Sequence, residues 1–122
     1  MTATAQIRIE GQISGLPGGS VKVGPIDLTS AAANGQVQWT VLQSGANTIT
    51  CPVSPAPSGV IIVLPSANTA VVTLKGITGD TGIALGKTTA HVLGFDPTAV
   101  PTSFCLTSAA TQTGLATQII FF

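Results

Sequence analysis

The chain has 122 residues, of which 44% are hydrophobic and 7% charged, and its four Lys and Arg balance four Asp and Glu. That length fits one domain and leaves no room for a second independent core. Arg8, Lys22, Lys75 and Lys87 are too few and too scattered for the basic patch that nucleic acid requires, and a chain without net charge does little to keep its copies apart.

Residues 1–6 lack the basic start and apolar run of a secretory signal. The longest apolar run, residues 60–64, is far short of the ~20 residues that cross a bilayer. The expectation is a soluble protein made in the cytosol, with no membrane partner.

No window carries helical apolar spacing, whereas alternating and short clustered apolar residues recur, so the chain reads as all-β. Ile7, Ile9, Gly11 and Ile13 share one face of a first strand, opposite Arg8, Glu10 and Gln12. After a turn at 15–19, Val21, Val23, Ile26 and Leu28 mark a second strand, with Gly24-Pro25 at a bulge or edge. Both read as half-buried strands.

Asn34-Gly35 is a hairpin signal. Beyond it, Val37, Trp39 and Val41 alternate with Gln36, Gln38 and Thr40, an alternation that predicts Trp39 in the core. A short strand at 48–53 runs into a segment with Pro52, Pro55 and Pro57. Prolines so close together cannot pair in a central strand, so 52–58 is a crossing between sheets or an edge inside one fold.

Residues 59–83 look like the centre of the chain: strands at 60–64 and 70–75 joined as a hairpin by 65–69, then a Gly-rich corner at 76–82. Further strands are expected at 83–85, 90–95, 103–107 and 115–122, separated by turns such as 96–101. Spacings of about 8 to 12 residues predict a single antiparallel β-sandwich over 1–122, jelly-roll or Greek-key-like. The apolar end, Ile119, Ile120, Phe121 and Phe122, reads as a strand tied into the sheet or as a contact to a partner.

Few residues suggest chemistry. Asp80-Thr81-Gly82 matches the tripeptide of aspartic proteases, which need two facing carboxylates on a rigid loop. Its setting, after Thr78-Gly79 and before Ile83, is that of a corner in which Asp80 accepts backbone amides. Calcium would need several oxygen ligands in one place, and Asp27 and Asp96 are distant in sequence. With His91 as the single histidine there is no His cluster for a metal, and neither cysteine lies near it for nucleophilic catalysis. Cys51 and Cys105 read as reduced, buried thiols. The expectation is no catalytic residue, no cofactor and no metal. Many threonines without a fixed period argue against an ice-binding ladder.

Several stretches of the second half, GVIIVLP at 59–65, AVVTLKG at 70–76, GDTGI at 79–83, LGFDP at 93–97, TSFCLT at 102–107 and the apolar-aromatic end, resemble small β-sandwich virion proteins of tailed bacteriophages. Residues 1–58 add a compatible β pattern. The resemblance implies a non-enzymatic structural subunit, a capsid decoration or a tail- or neck-associated protein, assembled in the host cytoplasm and carried in the virion. It implies other virion proteins, major capsid or tail proteins, as partners, together with homo-oligomers. Ile119, Ile120, Phe121, Phe122, Pro52, Pro55 and Pro57 are the expected assembly contacts. The alternative is a carbohydrate-binding sandwich, which needs an exposed Trp39 as a stacking platform.

Overall fold

A computed structural model describes residues 5–30, 36–96 and 98–122. Asn34-Gly35 and Pro97, both expected in turns, lie outside them. Among the described residues the chain forms ten strands and no helix.

β1 (Ala5–Leu16) and β2 (Gly19–Ser30) pair antiparallel across the turn at Pro17-Gly18 into a two-stranded ribbon. The remaining strands are β3 (Gln36–Thr40), β4 (Gly45–Thr50), β5 (Gly59–Val63), β6 (Val72–Lys75), β7 (Ile83–Ala84), β8 (Ala90–Gly94), β9 (Ser103–Ser108) and β10 (Thr117–Phe121). They form two four-stranded antiparallel sheets, a front sheet in the order β3-β10-β5-β8 and a back sheet in the order β4-β9-β6-β7. Consecutive strands from β3 to β6 alternate between the sheets, and β7 to β10 return beside them in reverse order. Two four-stranded sheets wound in this way are a jelly roll, as the strand spacing predicts.

The core lies between the sheets. Ile49, Phe104, Leu106 and Val72 face it from the back, and Val60, Ile62, Ile119 and Phe121 face it from the front. The Phe104 and Phe121 rings meet across the gap, with centroids 6.5 Å apart and planes tilted by 58°. The apolar end of the chain is therefore a strand tied into the sheet: Phe122 exchanges two backbone hydrogen bonds with Gly59, each 3.1 Å.

Two expectations need correction. Residues 60–64 and 70–75 do not form a hairpin, because β5 belongs to the front sheet and β6 to the back. The intervening turn is a corner held by Asn68, whose Nδ2 donates to the Ala70 carbonyl (2.9 Å) and the Lys87 carbonyl (2.7 Å), while its Oδ1 accepts from Ala70 N–H (3.1 Å). Gln112 Nε2 also donates to Asn68 Oδ1 (3.1 Å), and Thr117 Oγ1 donates to Gln112 Oε1 (2.9 Å). This buried network joins the loops after β5, β7 and β9. Short apolar runs joined by a turn look alike to a hairpin and to a corner, and side chains outside the runs decide between them.

The second correction concerns β1 and β2, which are not half-buried strands of the sandwich. Among the described residues they pair with no other strand, and every side chain from 8 to 27 is exposed. The segment 52–58 does cross between sheets, linking β4 to β5.

Candidate interaction surfaces

The ribbon is amphipathic. Its register sets Ile7 opposite Leu28, Ile9 opposite Ile26, Gly11 opposite Val23 and Ile13 opposite Val21. Pleating puts all of these on one face. The other face carries Arg8 opposite Asp27, joined by an ion pair of 2.8 Å, and Gln12 opposite Lys22.

A bulge makes this consistent: β2 has Gly24 and Pro25 where β1 has Glu10 alone, so Val23 and Ile26 stay on the same side. Gly24 has φ +77° and its α-carbon faces the Ile9 carbonyl oxygen so closely that a β-carbon would clash. The apolar face is uncovered, with Ile9 at 37%, Ile26 at 47% and Ile13 at 55% exposure. An isolated two-stranded ribbon is marginal in water, so an apolar face of this kind calls for a covering surface.

The front sheet supplies a second apolar face. Its outward rows, read across β3, β10, β5 and β8, are Val37, Ile120, Ile61, Val92 and Trp39, Gln118, Val63, Ala90. Neither row contains a charge. The back sheet differs: Ala46, Thr107, Thr73 and Ala84 form one outward row, and in the next Thr48 and Lys75 flank Cys105, which is buried. Back-sheet polarity is what water-facing strands ordinarily carry; the front face lacks it.

Trp39, expected in the core, is 65% exposed on this front face. The alternation of Val37, Trp39 and Val41 is as read, but the three point outward. Register explains why: Gln38 pairs with Ile119, whose side chain is in the core, so the residues between must face away. Alternation shows which residues share a face and not which face is buried.

The expected assembly contacts divide. Ile119, Phe121, Phe122 and Pro57 are buried in the sandwich, Ile120 and Pro52 are half-buried, and Pro55 is exposed. Of the four terminal residues, Ile120 alone belongs to the outward front face.

A groove of about 420 Å³ opens where the sheets part beside β7 and β8. Leu74, Ile83, Leu93, Phe95 and Phe104 line it, and Lys75 and Asp80 stand among its lining. Asp80 is occupied at the corner: its Oδ2 accepts the Ile77 N–H at 2.9 Å, and Ile77 O accepts the Asp80 N–H at 3.2 Å. Gly82 closes the corner with φ +74°. His91, in β8, has Nε2 3.1 Å from Thr89 Oγ1 and 3.2 Å from the Gly86 carbonyl, across the turn that leads into the strand. Cys51 and Cys105 are buried free thiols, and burial pushes the Cys51 thiol up from its ordinary pKa. Among the described residues, no three His, Cys, Asp or Glu side chains come together.

Comparison with protein-family models, with curated proteins and with solved structures finds no match to this chain.

Proposed function

We propose that this protein is a non-enzymatic structural subunit that works by docking apolar β-surfaces against other protein chains. The observation that carries the reading is the charge-free outer face of the front sheet, with Trp39 65% exposed beside Val37 and Ile120. The largest contiguous apolar patch on a soluble protein, typically about 300–600 Å², is often functional, and tryptophan is enriched where interfaces bind most strongly. The resemblance of the second half to phage virion proteins supplies the setting: a capsid decoration or a tail- or neck-associated subunit whose partners are capsid or tail proteins and its own copies. The jelly roll, which serves viral capsid and lectin domains alike, agrees with that setting by fold analogy alone.

Light scattering across a concentration series tests the reading. The expected result is a mass above the 12.1 kDa of one chain, rising with concentration. A monomer at the highest soluble concentration overturns self-assembly.

The exposure of Trp39 also favours the second reading, a carbohydrate-binding sandwich. Its neighbours Val37, Val41, Ile120 and Gln118 offer a single amide for hydrogen bonding, whereas sugar recognition needs several polar groups around a stacking ring. Saturable quenching of Trp39 fluorescence by a polysaccharide would favour this reading.

A further inference from the structure

We infer that the free edge of β8 and the groove beside it take an extended segment of another protein, which pairs with β8 as an added strand and sets alternate apolar side chains into the groove. The inference rests on the reading above, that the chain docks β-surfaces on other proteins, and it names a surface separate from the front face.

The groove is an unfilled part of the core. β8 sets Leu93 opposite Val60, which is fully buried, yet Leu93 on the same core-facing side is 42% exposed. In the back sheet Leu106, Leu74 and Ile83 form one row, and along it exposure runs from 0% at Leu106 to 69% at Ile83. The cause is the length of β7, which has two residues and leaves the back sheet short of the front one. Apolar side chains on the core side of two sheets are thus left facing water, and a partner that covers them recovers their burial.

The main chain tells what kind of partner fits. The Thr89 carbonyl accepts from the Leu64 N–H at 3.3 Å, and the Phe95 N–H donates to the Ser58 carbonyl at 2.8 Å, so residues 89, 91, 93 and 95 turn their backbone groups toward β5. In an antiparallel ladder the residues between turn theirs the other way. Ala90, Val92 and Gly94 therefore present N–H and C=O groups along an edge where β8 has no second neighbour among the described residues. Nothing guards this edge. β8 contains no Lys, Arg, Asp, Glu or Pro, its register with β5 has no bulge, and these are the devices that keep strand edges single.

A row of main-chain donors and acceptors beside an apolar slot matches an extended peptide. Its backbone would satisfy the edge, and its residues opposite Leu93 and Phe95 would point to the core side, into the groove. A lipid or other apolar small molecule could fill the slot but would leave the edge unpaired. The strands of this chain among the described residues are already held in its own three sheets, so the donor is a segment of another protein.

The test uses the full chain, isotopically labelled, with the capped peptide Lys-Leu-Thr-Leu-Thr-Leu-Thr-Lys and, as a control of equal composition, Lys-Leu-Leu-Leu-Thr-Thr-Thr-Lys. In the free chain the amides of Ala90, Val92 and Gly94 are expected to exchange rapidly with water, and those of His91 and Leu93, bonded to β5, slowly. The alternating peptide, at about ten times its dissociation constant, is expected to slow the three edge amides about tenfold, and the control to leave them unchanged. Val92→Pro removes one outward N–H without touching the bonds to β5, a change that edge strands tolerate. Leu93→Lys charges the groove at a site already 42% exposed, and decides the matter alone if the proline variant does not fold. Each is expected to weaken peptide binding by about tenfold or more with the near-ultraviolet dichroism of Trp39 unchanged, whereas Val37→Lys on the front face is expected to bind as wild type.

Absence of peptide binding, binding that leaves the three edge amides unprotected, or equal binding of the control overturns the inference and leaves the front-face reading, which light scattering tests separately, standing. Edge amides that are protected without peptide, and more so as the chain is concentrated, show a second copy in the slot and overturn the assignment to another protein.

Discussion

At the scale of single residues, the strongest structural commitment is Asn68. Its side chain makes four hydrogen bonds in a site that is 4% exposed, and no buried side-chain polar atom of the described residues lacks a partner. Truncation strands Gln112 Nε2 and the Ala70 and Lys87 backbone groups without water, at about 1–3 kcal/mol for each buried group left unsatisfied. Asn68→Ala is therefore expected to cost about 4 kcal/mol or more in urea unfolding, beyond the usual range for a point substitution. A loss of only a few tenths would mean that the corner is held by its apolar neighbours instead.

Cys51 makes a pH-dependent contribution. Burial raises its pKa in the folded chain. A raised folded-state value stabilises the fold below the unfolded thiol pKa of about 8.5, and that contribution is lost as pH rises through the folded value. Thermal unfolding of the wild type is expected to weaken above pH about 8.5, and Cys51→Val is expected to flatten part of that alkaline slope. An unchanged slope in the variant would assign the loss to other groups.

At the scale of elements, the ribbon's amphipathicity depends on one bulge. With Gly24 and Pro25 opposite Glu10, Val21 and Val23 stay on the face of Ile26; a one-residue slip would turn them to the polar side. Gly24→Val meets the Ile9 carbonyl and a backbone φ of +77°, which β-branched residues avoid. Amide exchange in β1 and β2 is expected to accelerate in this variant. The thermal midpoint of the sandwich, measured by near-ultraviolet dichroism of Trp39 at monomer concentrations, is expected to stay put, because the ribbon side chains from 8 to 27 are not buried against it. A lowered midpoint would show that the ribbon supports the sandwich directly.

At the scale of the whole molecule, the jelly roll distributes polarity unevenly. The back sheet turns threonines to water, the front sheet turns valine, isoleucine and tryptophan outward, and the ribbon holds four of eight charges on one side of two strands. Ordinary surface composition does not require that asymmetry.

The all-β class, the ribbon's two faces, the bulge at Gly24-Pro25 and the Asp80 turn could be read from the sequence, because each depends on contacts or alternation within a few residues. Tertiary structure alone decided the burial of Ile119 and Phe121, the outward turn of Trp39 and the division of 59–83 between two sheets. Strand periodicity is two whichever side faces the core, so alternation pairs Trp39 with Val37 and Val41 without saying inside or outside. That choice falls to the partner strand: β10 sets Ile119 against Gln38, some eighty residues away in sequence, and only the closed sandwich brings them together.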